Sequence, residues 1–205
     1  MDTQARTELL RQIKNEVVDF KKSPLYAERV KNRVFPVIGE GSHWAKIMFI
    51  GEAPGKNEAA TGRPFCGAAG RVLDEMLKSI GLLRSDVYVT NIVKDWPPLN
   101  RDPLPEEIEA YAPFLDRQIE IIQPQIIATL GRFSMKYIIE EFCPNQPLNI
   151  SITALHGHVI EGNTTYGQIK IFPLYHPAAT LYNPALKEDL KKDFQMLKKE
   201  VESHT

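Results

Sequence analysis

Lys46-Ile47-Met48-Phe49-Ile50-Gly51-Glu52 is a short apolar run that closes on a glycine and an acid. Apolar side chains at successive positions, rather than at alternate ones, suit a strand buried on both faces. The same form recurs downstream. Pro124-Gln125-Ile126-Ile127-Ala128-Thr129-Leu130 ends at Gly131, and Asp86-Val87-Tyr88-Val89-Thr90-Asn91-Ile92-Val93 is a further strand. Helical stretches lie between them. Residues 68–80 (AAGRVLDEMLKSI) predict a helix stopped by Gly81. Pro105-Glu106-Glu107 opens a helix to about residue 122, with proline and acids in its first turn. Another helix runs from Gly131 to about residue 141, strands are expected over 150–160 and 168–174, and a closing helix over 184–202. Upstream, Leu9, Leu10, Ile13, Val17 and Val18 recur at helical spacing, which predicts an N-terminal helix over about 4–22. Strands alternating with helices imply an α/β fold with right-handed crossovers and a mainly parallel sheet covered on both faces.

The 205 residues suit one domain spanning 1–205, with no repeat, linker or low-complexity tract. Hydrophobic residues make up 43% and charged residues 25%, the balance of a soluble globular protein. No apolar run has the ~18 residues of a membrane span, and the acid-bearing N-terminus lacks a signal core, so a cytoplasmic protein is expected. The net charge of −1 excludes a broadly basic nucleic-acid binder; any such contact must come from a local patch or from backbone amides. Cys66 and Cys143 stand far apart and form no metal-binding pair, so both read as reduced thiols.

Ligand sites in such folds lie at the carboxyl ends of the strands. Three segments leave those ends: Gly51–Gly67, Asn91–Pro105 and Tyr175–Pro184. They hold most of the chain's unusual loop residues, which argues for one site. The first resembles a phosphate loop but fails in detail. Only three residues separate Gly51 from Gly55, and Asn57, not serine or threonine, follows Lys56. Taken singly, an asparagine closing a strand is more often a cap, and a lone histidine such as His176 is more often structural.

Together the three loops carry a more specific signal. GEAPG (51–55), GRPF-x-G-x-AG (62–70), TNIVK (90–94), the PP-x-NR-x-PLP-x-E segment (97–107), the PQII strand with its LG turn, and HPA (176–178) occur in the order of the uracil-DNA glycosylase superfamily. The chain resembles family 4 of that superfamily most closely, from about residue 20 to 195. The resemblance implies a three-layer α/β/α sandwich round a central, mainly parallel four-stranded sheet. It also implies an enzyme that flips uracil from DNA and hydrolyses its N-glycosidic bond without lyase activity. Its partner is then uracil-containing DNA, single- or double-stranded, and a monomer without membrane contact is expected. A replication-clamp contact is not legible. Activity on hypoxanthine or xanthine, and an inactive DNA-binding homologue, remain the alternatives. No KRR run occurs, which sets aside the branch that traps DNA through an inserted histidine loop.

One departure is large. Family 4 members typically hold a four-iron, four-sulfur cluster on four cysteines, and those positions fall on Phe20, Ser23, Asp95 and Tyr111 here. Such clusters need thiolates or, less often, imidazoles. No cluster and no other cofactor is therefore expected, and Phe20, Trp96 and Tyr111 are candidates to replace the clip by apolar packing.

The resemblance, together with excision chemistry, implies roles for named residues, each an expectation. Phe65 supplies a platform for the pyrimidine face. The Asn91 amide accepts from N3–H and donates to O4, a pattern that cytosine reverses. By the resemblance, His176 donates to O2 of the departing anion. A carboxylate must direct water at the cationic sugar, and Glu52 is ranked ahead of Glu58, the family's pocket glutamate. Ala53 lies against the substrate where the best-known branch has its catalytic aspartate. Lys56, Arg63, Lys94, Arg101 and His156, with backbone amides around Ala178, are candidates for DNA phosphates. Leu181 or Tyr182 is the candidate wedge for the vacated space, and Trp96 and Leu99 are further contacts.

Overall fold

The computed structural model describes residues 2–147 and 151–202. Its elements are α1 (Thr3–Val18), α2 (Tyr26–Asn32), β1 (Glu40–Gly41), β2 (Ile47–Gly51), α3 (Lys56–Thr61), α4 (Ala68–Ser79) and β3 (Tyr88–Asn91). Then follow α5 (Pro105–Ile122), β4 (Ile126–Leu130), α6 (Arg132–Phe142), α7 (Ile152–Leu155), β5 (Ile160–Thr164), β6 (Gly167–Leu174) and α8 (Pro184–Glu202). The strands form one sheet in the order β1-β3-β2-β4-β6-β5. β3, β2, β4 and β6 run parallel, and β1 and β5 add antiparallel edges.

The continuous apolar strands make both helical layers possible. Along β2, Met48 and Ile50 join the core under α1, α5 and α6, where Ile13, Val17, Leu115, Ile119 and Ile138 are buried. Ile47 and Phe49 point the other way, into the core beneath α4 and α8 with Leu73, Met76, Leu77, Leu190 and Phe194. Adjacent residues of one strand thus serve opposite cores, because side chains alternate across a strand. The sandwich is the expected one, but among the described residues its sheet has six strands rather than four. The two edge strands were illegible for a physical reason: β1 is two residues long, and β5 carries the polar sequence Glu161-Gly162-Asn163-Thr164.

The strand expected over 150–160 is corrected. Ile150 lies outside the described residues; Ser151 caps the short helix α7, Gly157 turns the chain at φ 74°, and the strand begins only at Ile160. The N-terminal helix ends at Val18 instead of residue 22. There the Arg29 guanidinium from α2 takes up the carbonyls of Val17 (2.9 Å) and Val18 (2.8 Å).

Candidate functional site

β2 ends at Gly51 beside Asn91, the last residue of β3, and the two are paired in register. A Cβ at Gly51 would lie 2.3 Å from Asn91 Oδ1 and 2.7 Å from the tip of the Phe65 ring, so only glycine allows this convergence. Beside them opens a cleft of about 450 Å³. Glu52, Ala53, Glu58, Phe65, Asn91, His176 and Ala178 line it, with Arg101 and Tyr182. The strand-end segments that looked separate in sequence meet here.

Phe65 is buried with a left-handed backbone, φ 49°. Its carbonyl accepts from Arg84 (3.2 Å) and rests on Gly70, where a Cβ would lie 1.7 Å from the Phe65 oxygen. The Phe65 ring lies 5.8 Å from that of His176, tilted by 31°. Asn91 is 1% exposed, and its Oδ1 has no protein hydrogen-bond partner. A buried acceptor left in that state normally costs free energy, so a ligand donor has a ready place there.

The Nδ1 atom of His176 accepts the Ala178 N–H at 3.1 Å. A neutral ring then carries its proton on Nε2. Burial pulls the pKa down to about 4, against the opposing charge of Glu58, so the neutral tautomer prevails at physiological pH. Glu52 shows the complementary shift. Burial raises its pKa to about 7 and Asp102 adds to this, while the Phe133 N–H and Arg132 at the start of α6 oppose it. Gly131 presses against the same carboxylate, for a Cβ there would lie 2.4 Å from Glu52 Oε1 and 3.2 Å from His176 Cβ. Glu58 is differently employed: its Oε1 accepts the N–H groups of Cys66 (3.0 Å) and Gly67 (2.8 Å) and pins the loop that carries Phe65.

Several phosphate candidates are already engaged by internal partners. Lys94 is 0% exposed and its Nζ is spent on three internal acceptors, which corrects its assignment to DNA. The Ala178 and Ala179 amides are likewise taken, by His176 Nδ1 and the His176 carbonyl, because Pro177–Leu181 winds into a 3-10 turn. His156 pairs with Asp193 of α8 (2.8 Å) and packs on Tyr175. Arg63 is exposed but pairs with Glu40, at 2.8 Å. Arg101 lines the cleft while bound to Glu107 (2.5 Å), and Lys56 is exposed at the start of α3. Leu181 is half-exposed, and Tyr182, on the rim, is 89% exposed.

Sequence reasoning missed Asn100, whose Oδ1 accepts from Trp96 Nε1 (2.6 Å) and from the Lys56 amide (3.2 Å). The bond ties the proline-rich loop to the first loop across the cleft. Asn100 has φ 55°, a left-handed conformation that asparagine tolerates, and its place in the PP-x-NR segment was the signal available in the sequence.

Phe20, Ser23, Asp95 and Tyr111 converge on the far side of that loop. The Tyr111 hydroxyl donates to Asp95 Oδ2 and is bonded to Ser23 Oγ, and Arg29 lies 3.5 Å from Asp95. Phe20 meets the Tyr111 ring edge-on at 5.8 Å. The four side chains offer no thiolate and no imidazole, and Tyr111, fully buried, fills the space, so these residues do not fit an iron–sulfur cluster. The Trp96 indole N–H donates to Asn100 Oδ1 (2.6 Å). The clip is therefore not apolar packing alone but a buried hydrogen-bond network edged by aromatic rings.

Residues 38–198 match the family model described as the uracil DNA glycosylase superfamily. The chain is 49% identical to a Type-4 uracil-DNA glycosylase of Sulfurisphaera tokodaii, covering 92% of this chain and 83% of that protein. It is 43% identical to one from Archaeoglobus fulgidus (93% and 92% covered) and 38% identical to one from Thermotoga maritima (95% and 98%).

Proposed function

Because the chain belongs to the uracil DNA glycosylase superfamily, we propose that it excises uracil from DNA through the cleft at Gly51 and Asn91, leaving an abasic site for base-excision repair. The observation that carries this reading is the meeting of Phe65, Asn91, His176 and Glu52 in one cleft. A uracil turned out of the stack rests on Phe65. Asn91 Oδ1 accepts its N3–H, and the amide nitrogen donates to O4. The C1′–N1 bond breaks with its electron pair passing to the base, and His176 Nε2–H donates to O2, where that charge gathers. The Glu52 carboxylate aligns water and takes its proton as the water oxygen bonds to C1′. Glu58, whose Oε1 holds two loop amides, serves to hold the pocket wall.

Arg101, which lines the cleft, and the exposed Lys56, next to the cleft-lining Gly55, are the phosphate contacts this reading favours, with Tyr182 or Leu181 entering the vacated stack. The protein works as a single-domain monomer without an iron–sulfur cluster, the Ser23–Tyr111–Asp95–Arg29 network serving as the clip. No described helix is long and apolar enough to cross a membrane. Incubation with a uracil-containing strand, followed by alkali, tests the activity. Strand breakage at uracil is expected, and intact strands would refute it. Matched strands with hypoxanthine or xanthine read the deaminated-purine alternative. Stoichiometric iron in anaerobically purified protein would overturn the cluster-free reading.

A further inference from the structure

Lys94 follows the base-reading end of β3 by three residues, and its side chain turns back beneath it. Nζ donates to the Asn91 carbonyl (2.7 Å), Thr90 Oγ1 (2.9 Å) and Gln118 Oε1 (2.6 Å). The orientation of each acceptor is fixed by the next bond. Thr90 Oγ1 donates to the Ile38 carbonyl (2.7 Å), and Gln118 Nε2 donates to that carbonyl (3.0 Å) and to the Tyr88 hydroxyl (3.2 Å). Three acceptors around one nitrogen match the three N–H groups of an ammonium. Among the described residues no carboxylate lies within ion-pair distance of it. Burying an unpaired cation is costly, and an apolar side chain of like size would fill the space at no such cost. The ammonium must therefore do something for the strand end that it grips.

We propose that Lys94 is a positioning residue for base excision: its buried ammonium clamps the Asn91 carbonyl, fixes the amide that reads the pyrimidine edge, and presents positive charge through that peptide to the leaving base. The inference rests on the reading of Asn91 as the base reader. It also gives a reason for a cation in a place that no phosphate can reach. The titratable group whose charge acts on Nζ is Asp116 on α5, which favours the ammonium; behind Gln118 lie the Tyr88 phenol on β3, which burial keeps neutral, and the Ile38 carbonyl from the segment before β1. Burial draws the Lys94 pKa down to about 7. Rising pH therefore removes the ammonium and lowers kcat/KM. The Glu52 carboxylate works in the opposite sense, since rising pH creates it.

The test is single-turnover excision from a uracil-containing strand, across the pH range around neutrality, by the wild type, K94M and D116N, with thermal melts alongside. K94M is expected to lose about tenfold or more in rate and to lose the alkaline limb of the profile. Asp116 lies outside the cleft, so D116N should move the alkaline limb to lower pH and, because the Glu52 limb also lies near 7, lower the maximum and shift it toward acid, a response that a merely structural lysine would not give. A K94M rate within about twofold of wild type with the limb intact would overturn the proposal. An unmoved limb in D116N would overturn it as well, and that variant decides alone if K94M fails to fold. Wild-type protein that leaves the strand intact, or an N91A variant at full rate, would instead strike the underlying reading of activity or of Asn91.

Discussion

A single methyl group at Gly131 separates what the fold requires from what the chemistry requires. Gly131 has φ 100° and ψ 174°, a conformation adopted almost only by glycine. Forcing alanine into it costs about 1–3 kcal/mol. The new Cβ also lies 2.4 Å from Glu52 Oε1, a contact that cannot persist. That atom is the far end of a flexible side chain, so the carboxylate swings away and the backbone stays. His176 Cβ, at 3.2 Å, must yield only slightly. G131A should therefore fold with a melting temperature lower by about 2–4 °C per kcal/mol of strain. Displacing the water-directing carboxylate by about 1 Å costs on the order of a hundredfold in rate. Single-turnover strand breakage at a fixed pH above neutrality, with a thermal melt, measures both. G167A is the control, since Gly167 has φ 129° with nothing within 4 Å of its Cβ position, so it should lose stability but not rate. A G131A rate within about threefold of G167A would show that Glu52 does not direct the water.

Glu52→Gln should lower the rate by about a hundredfold or more and abolish the rise in activity as pH passes through about 7. The folded pKa of Glu52 lies above its unfolded value, so the stability it contributes is present at low pH and lost as pH rises through about 7; E52Q should therefore melt higher than wild type at pH 8 and lose that advantage in acid. His176→Ala should cost about a hundredfold to a thousandfold in single-turnover rate. Since His176 is already neutral down to about pH 4, the acid limb should survive in that variant; its disappearance would refute the neutral-donor role. Tyr111→Phe removes the hydroxyl shared by Ser23 and Asp95 and should destabilise by about 1–3 kcal/mol in denaturant titrations, while a chelator should leave the wild-type melt unchanged.

The site was unevenly legible, and the misses share a cause. Phe65, Asn91, Glu52 and His176 stand at strand ends or in glycine-rich turns and were legible through the motifs shared with the superfamily, since each taken singly has an ordinary structural reading. Lys94 sits in an equally telling motif, yet a lysine after a strand looks the same whether it reaches outward or folds back under Gln118. Two of its acceptors, Thr90 Oγ1 and the Asn91 carbonyl, are local, but the third, Gln118 Oε1, arrives only with α5, from residue 105 onward. Arg29 was overlooked because α2 is seven residues long and has no strong periodicity, and its role depends on Asp95 and the end of α1. Glu58 could be named from sequence, but its commitment to the Cys66 and Gly67 amides depends on how the loop closes.

The order of strands and helices and the double-faced burial of β2 and β4 were determined by sequence, since periodicity, turn chemistry and side-chain type are local properties; the residues for excision were legible only through the order of motifs shared with the superfamily. Tertiary structure alone decided that Glu52 and His176 both close on Gly131, that Lys94 is buried while Lys56 stays at the surface, and that Ser23, Asp95 and Tyr111 meet as a bonded cluster edged by Phe20. Charge state and hydrogen-bond partner depend on desolvation and on neighbours distant in the chain, and neither exists until the layers close.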